Sequence, residues 1–231
     1  FSVADYQMEV YKIIDEIISR GNIPFIVGGT GLYIDAVTRG YVLHDEKKDL
    51  GYSEKLNSLS IEELLPMLSK EGMEYYQSKN SSDIKNKRRI IRILEKEKNN
   101  IPLTCENKEK YDVLKIGISW PKEILHKRID ERLDLRIKEG MIDEVDTFLK
   151  NGGDPKIMED LGLEYKHILW LLQKKYDSVS EFEEKMAIAI KQFAKKQMVW
   201  FKKDEKIDWL DMSKNYIEEA SSLIKNFKEK D

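Results

Sequence analysis

Four residues, Gly28, Gly29, Thr30 and Gly31, directly follow the apolar run Ile23 to Val27. Glycines let backbone N–H groups approach an anion closely, and a threonine hydroxyl both donates and accepts hydrogen bonds. Loops at the carboxyl ends of strands are where open α/β sheets bind ligands. The same residues also suit a tight strand-to-helix turn, so a phosphate cradle and a plain turn both fit. A second constellation is Arg128, Arg132 and Arg136, spaced by four so that they share one helix face. Its chemistry is either a solvated flank paired to Asp130, Glu131 and Asp134, or a set of guanidinium forks able to grip a diphosphate.

Two basic windows suggest a polymeric anion. Lys85 to Lys98 holds seven Lys or Arg and two acids, with Arg88, Arg89 and Arg92 flanking Ile90, Ile91, Ile93 and Leu94. Lys191 to Lys203 holds five Lys and no acid, interleaved with Phe193, Trp200 and Phe201. Cations alternating with aromatics fit a nucleic-acid backbone plus a stacking surface, although either window alone also reads as a solvated helix face. Other chemistries find little support. His44, His126 and His167 are scattered without metal-ligand or dyad spacing, Cys105 reads as an ordinary free thiol, and no metal site is expected. No GxxxxGK[ST] string occurs in the 231 residues, so the Gly28–Gly31 loop is not a Walker A element.

The elements that must position these groups follow from periodicity. Ser2 and Asp5 form a capping box before a helical stripe of Tyr6, Val10, Ile13, Ile14, Ile17 and Ile18, and Gly21 stops it. Ile23 to Val27 reads as a buried strand feeding the glycine loop, and helix, turn, strand and loop in that order are the grammar of a parallel α/β layer. From about Leu43 to Asn100 apolar positions thin out. Two helical patterns there, Ile61 to Ser69 and about Ile84 to Lys98, predict a helical insertion. Val113 to Ile118 predicts a second strand, followed by Pro121 at a helix start. One long helix then carries Leu125, Ile129, Leu133, Ile137, Met141, Val145 and Leu149, with Gly140 as its weak point. Further helices are expected at Glu164 to Lys174 and Ser180 to Trp200, then a strand at Ile207 to Leu210 and an amphipathic tail.

Length and composition bound the class. The chain is 41% hydrophobic and 36% charged, with a net charge of −3, which excludes collagenous and disordered chains and leaves room for a sizeable core. One cysteine excludes an intrachain disulfide, and no apolar run is long enough to span a membrane. A cytoplasmic protein with no membrane partner is the expectation. Net charge is the wrong scale for judging partners, because the two basic windows together carry ten net positive charges.

Taken in order, these segments resemble the tRNA dimethylallyltransferase family. Phe1 to Gln7, FSVADYQ, is similar to that family's [FY]SxxD[FY], and Ile23 to Tyr33, IPFIVGGTGLY, to its IPxxVGGTxxY. Arg89, Arg92 and Glu95 match RxxRALE, and His126, Arg128, Ile129 and Arg132 match HxRIxxR. Lys191 to Lys202, KQFAKKQMVWFK, matches [KR]xxAKRQxTWFR. Five ordered elements are far more specific than any one of them.

The resemblance implies a P-loop-type α/β core over residues 1–45 and 107–231, interrupted by a helical tRNA-binding insertion at 46–106. It implies transfer of a dimethylallyl group from dimethylallyl diphosphate to N6 of the adenosine 3′ of the anticodon (position 37), in tRNAs reading codons that begin with U. The base must be flipped out, because N6 is inaccessible while stacked. Carried over position by position, Thr30 lies by the reacting amine or diphosphate and Arg132 stabilises the leaving group. Gly28, Gly29 and Arg128 bind diphosphate, while Arg88, Arg89, Arg92, Lys195, Lys196 and Gln197 contact the anticodon stem-loop. Mg²⁺ is implied as cofactor, and no protein partner is. The departures are as informative. The family's GPTxxGK[ST] loop, which holds diphosphate and Mg²⁺, and its DSxQ[VI]Y segment with the general-base Asp have no counterpart here. With Phe1 in place of Met, the expectation is a carboxyl-terminal portion, inactive alone, whose P-loop lies upstream. GYK[EQ] is replaced by Gly162-Leu163-Glu164-Tyr165, Ile190 stands where Thr is usual, and the linker before Lys85 lacks the DP and HxND pattern. Two other classes share parts of the pattern: a non-catalytic RNA-binding module on the same fold, and a P-loop small-molecule kinase, which leaves AKKQMVWF unexplained.

Overall fold

The computed structural model describes residues 2–43, 49–79, 86–104 and 106–229. His44, Cys105 and Lys85, the first cation of the first basic window, lie outside them. The chain divides into two compact units, Phe1–Asp112 and Val113–Asp231.

In the first unit, α1 (Val3–Ser19) starts at the expected capping box. The Ser2 N–H donates to Asp5 Oδ2 at 2.6 Å and the Asp5 N–H donates to Ser2 Oγ at 3.2 Å. The Ser2 backbone N–H above all, and the Ser2 side chain second, hold the Asp5 carboxyl below the usual carboxylate range. Gly21 follows the helix at φ +73°, where a side chain would be strained. Residues 23–27 correct the sequence reading. They form no strand, and Phe25 and Val27 are 71% and 93% exposed. A strand exists only through its ladder, and among the described residues no strand pairs with this one.

Helix α2 (Gly31–Thr38) packs on α1 through Ala36 and Val37, both buried. Gln7 bridges the pair, donating from Nε2 to the Ala36 carbonyl and, at 2.9 Å, to the Tyr41 carbonyl. The Tyr11 hydroxyl donates to the Val37 carbonyl at 3.2 Å. Tyr6 stacks on Tyr33 with ring centroids 4.8 Å apart. The chain then passes Gly40, whose carbonyl accepts the Lys108 N–H at 2.9 Å. This contact ties together the two ends of the intervening helical segment. A Cβ on Gly40 would lie 1.7 Å from the Lys108 carbonyl oxygen, and its φ is +61°, so only glycine fits.

That segment contains α3 (Leu50–Ser58), α4 (Ile61–Leu64), α5 (Lys70–Gln77) and α6 (Lys87–Lys98) around Leu56, Leu64, Tyr76, Ile90, Ile91, Ile93, Leu94 and Leu103. The single helix expected over Ile61 to Ser69 is shorter. Pro66 sits in a 3₁₀ turn after Leu64, and Ser69 instead caps α5 by accepting the Gly72 N–H. Asn86 caps α6, so that helix starts after the expected Ile84.

The second unit contains the sheet. β1 (Lys115–Ser119) pairs in parallel with β2 (Ile207–Asp211), with Gly117 opposite Trp209. A Cβ on Gly117 would lie 2.7 Å from the Trp209 ring. The parallel pairing across a helical crossover makes the chain α/β. The long helix expected after Pro121 is two, α7 (Lys122–Lys138) and α8 (Met141–Lys150), because Gly140 adopts φ +92° and turns the chain. α9 (Pro155–Leu161), α10 (Leu163–Leu172) and α11 (Val179–Phe201) complete a core of Leu133, Met141, Val145, Met158, Ile168, Leu169, Phe182 and Met186. α12 (Tyr216–Lys228) follows β2. No described helix is long and apolar enough to cross a membrane.

Candidate functional site

The glycine loop opens directly onto a helix N-terminus. Thr30 is the residue before α2, is exposed, and makes no side-chain cap bond. The first N–H groups of a helix have no intrahelical partner and carry partial positive charge, so they suit an anion. An uncapped threonine hydroxyl adds one more donor. A Cβ on Gly28 would meet nothing within 4 Å, and its φ is not left-handed. Folding therefore does not require glycine at position 28, in contrast to Gly40. The helix that the loop opens onto is fastened to α1 by the Tyr6–Tyr33 stack and by Gln7, which donates to the Ala36 and Tyr41 carbonyls.

In the second unit the arginine stripe lies on α7, but its partners differ from those the spacing predicts. Arg128 stacks over the Trp120 ring, 4.5 Å from its centroid. Arg132 Nη1 donates to Glu164 Oε1 at 2.8 Å. Arg136 lies 3.8 Å from Glu139. Asp130 instead pairs with Lys191 at 2.6 Å, and Glu131 with Lys127 at 3.7 Å. Trp120 and Glu164 are site neighbours that sequence reasoning missed. The only signal for Glu164 was its place in the element that departs from the family pattern.

The basic windows resolve into helix faces. On α6, Ile90, Ile91, Ile93 and Leu94 are buried, while Arg88, Arg89 and Arg92 are exposed. Arg92 lies 3.7 Å from Glu95. On α11, Lys195 and Lys196 are exposed and Gln197 is half-buried, with Phe193 and Trp200, seven residues apart on one face, both exposed. Lys191 is taken up by Asp130.

Among the described residues no group of three His, Cys, Asp or Glu could hold a metal ion. The carboxylate following the glycine loop, Asp35, is buried and 3.3 Å from Arg39 Nε. Mg²⁺ takes carboxylate and phosphate oxygens in octahedral geometry. The ion is usually held by one or two carboxylates together with a substrate's phosphates, so it does not require a cluster of three such side chains.

An α/β protein with a parallel strand pair, a glycine loop on a helix N-terminus and two exposed basic helix faces offers several surfaces suited to anions. Comparison with known proteins narrows the reading. A family model described as IPP transferase matches residues 1–204. tRNA dimethylallyltransferase 2 of Treponema denticola is 37% identical over 221 residues, covering 91% of this chain and 73% of the relative. The tRNA dimethylallyltransferase of a Streptococcus agalactiae strain is 34% identical, covering 98% and 74%. The crystal structure of the full-length tRNA isopentenylpyrophosphate transferase of Bacillus halodurans matches with a TM-score of 0.64 at 28% identity, over 98% of this chain and 72% of that one. A eukaryotic dimethylallyltransferase acting on tRNA, 21% identical with a TM-score of 0.66 over 91% of this chain and 56% of that one, shares the fold. The chain belongs to the IPP transferase family.

Proposed function

We propose that this chain serves transfer of a dimethylallyl group from dimethylallyl diphosphate to N6 of the adenosine 3′ of the anticodon (position 37), in tRNAs reading codons that begin with U. The observation that carries the reading is the loop–helix junction, where an exposed, uncapped Thr30 lies two residues after Gly28, a glycine that folding does not need. In the reaction the N6 nitrogen forms a bond to the allylic carbon as the carbon–oxygen bond to diphosphate breaks. The diphosphate leaves with the electron pair and N6 gives up a proton. The roles carried over from the family resemblance give Gly28, Gly29 and Thr30, in the first unit, N–H and hydroxyl donors for phosphate, and give Arg128 and Arg132, in the second, guanidinium groups suited to the negative charge that grows on the leaving group. Residues 46–106 act as an insertion that grips the stem-loop through Arg88, Arg89 and Arg92, and Lys195, Lys196 and Gln197 bind its backbone. The setting is cytoplasmic.

The 231 residues contain no GxxxxGK[ST] string and no DSxQ[VI]Y segment with its base. The chain alone therefore binds an anticodon stem-loop weakly and transfers nothing. Incubation with labelled dimethylallyl diphosphate and unmodified tRNA tests this, and substantial labelled product would overturn the inactivity. A second reading, a non-catalytic RNA-binding module, is favoured by the exposed Lys and aromatic face of α11. It requires stem-loop binding with no affinity for pyrophosphate.

A further inference from the structure

Arg132 is the one member of the α7 stripe that reaches a carboxylate on another helix. Its side chain is 60% exposed and that of Glu164 is 28% exposed, with 2.8 Å between Nη1 and Oε1. Exposed ion pairs of this kind add little to stability, so holding the fold together is a poor account of it. The geometry around Glu164 is specific. Gly162 adopts φ +148° and ψ −177°, a conformation other residues rarely take, and this ends α9 at Leu161 and restarts the chain as α10 at Leu163. Glu164 thereby falls in the first turn of α10, where a carboxylate is favoured by the helix N-terminus. It also lies in the one segment where the sequence replaces GYK[EQ] by Gly162-Leu163-Glu164-Tyr165.

The contact uses a single guanidinium nitrogen, and Arg132 has no second protein partner among the described residues. A guanidinium carries five N–H donors in a planar fork. We propose that Glu164 is a positioning residue for Arg132: it fixes the guanidinium through Nη1 and leaves the rest of the fork open for a diphosphate. A long exposed arginine otherwise loses rotamer freedom when it binds, and ordering it beforehand removes that cost from the ligand's affinity. The inference rests on the reading of Arg132 as the group that meets the diphosphate.

The test titrates the 231-residue chain with inorganic pyrophosphate at fixed ionic strength, following binding by calorimetry and thermal unfolding in parallel. Glu164→Ala weakens pyrophosphate binding about 3- to 10-fold, the cost of ordering one long side chain. Glu164→Gln keeps an acceptor oxygen and stays within about 2-fold of the parent chain. Neither variant shifts the unfolding temperature appreciably, whereas a purely structural role would lower it. Arg132→Ala is the control for the underlying reading and weakens binding at least as much as Glu164→Ala. Unchanged or tighter binding by Glu164→Ala, with Arg132→Ala weakened, overturns the positioning role and makes Glu164 a bystander or a competitor. Equal losses in Glu164→Ala and Glu164→Gln overturn it as well, by tracing the effect to charge. No effect of Arg132→Ala, or no binding by the parent chain, refutes the diphosphate reading of Arg132, and the inference falls with it.

Discussion

Glycines at positions 28 and 40 offer a matched perturbation, because alanine at each makes opposite demands. At position 28 the added Cβ meets nothing within 4 Å and the backbone is not left-handed. The folded state then loses nothing, and the stiffer unfolded chain gives a gain of about 0.4–1 kcal/mol. At position 40 the left-handed backbone costs an alanine about 1–2 kcal/mol. The Cβ would also lie 1.7 Å from the Lys108 carbonyl oxygen, so the two strands of chain must part and the Lys108–Gly40 hydrogen bond is lost. That adds about 0.5–1.5 kcal/mol. Gly40→Ala should therefore destabilise by about 1.5–3.5 kcal/mol, the sum of those two costs. Urea unfolding followed by far-ultraviolet circular dichroism is the appropriate assay, because all four tryptophans lie at 120 or beyond and their fluorescence reports the second unit. Pyrophosphate titration completes the contrast. If Gly28 is glycine for the ligand, a methyl group there blocks one N–H to an anion, a loss of about 1.5–3 kcal/mol, which is roughly 10- to 150-fold in affinity. A Gly28→Ala chain that binds pyrophosphate normally, or that unfolds about 1 kcal/mol more easily, would refute the reasoning.

Three further outcomes follow from the same structure. Lys195→Ala with Lys196→Ala, both exposed on α11, should weaken stem-loop binding and flatten its salt dependence by about 1.4 in log–log slope if both contact phosphate, as measured by filter binding across a salt series. His167 is buried against Tyr176, whose hydroxyl lies 2.7 Å from Nδ1, and against Trp170. Burial first and Lys166 second lower its pKa below the ordinary value of 6.5. The unfolded chain binds the proton more readily, so His167's contribution is fully present above about pH 6.5 and is lost as pH falls through its lowered pKa. A His167→Asn chain should show a flatter stability profile over that acid range in the same urea assay. Phe182→Ala empties a fully buried site in the second core and should cost about 3–5 kcal/mol, read as an earlier tryptophan fluorescence transition.

Local signals carried far along this chain. The Ser2–Asp5 capping box, the stop at Gly21 and the burial of Ile90, Ile91, Ile93 and Leu94 were legible because each depends on near neighbours in sequence, whereas the apolar runs at 115–119 and 207–211 became strands because each found the other as its parallel partner. Residues 23–27 failed as a strand for the opposite reason. Their apolar run specifies a preference for pairing, but the pairing itself must come from a neighbouring ladder, which periodicity does not see. Gly140 broke the long apolar stripe for a comparable reason. The four-residue spacing of Leu133, Ile137, Met141 and Val145 survives the turn, so the pattern alone cannot distinguish one helix from two that share a core.

The candidate site shows the same division between what spacing fixes and what it leaves open. Spacing by four places Arg128, Arg132 and Arg136 on one face of α7, and the helix obeys it. It says nothing about what the face meets, and each arginine meets something different: an indole, a carboxylate on α10 and a neighbour on its own chain turn. The expected local pairs to Asp130 and Glu131 lose because those carboxylates have lysines within reach, Lys191 from α11 and Lys127 on the same helix. A carboxylate satisfied elsewhere no longer competes for the arginine stripe. The cross-helix pair of Asp130 with Lys191 thus contributes to the site without touching it: it removes one lysine from the basic face of α11 and one acid from the environment of Arg132. Breaking it with Asp130→Asn should therefore release Lys191 and strengthen stem-loop binding modestly while leaving the Arg132–Glu164 contact in place, a combination that neither a uniform charge effect nor a loss of folding would produce.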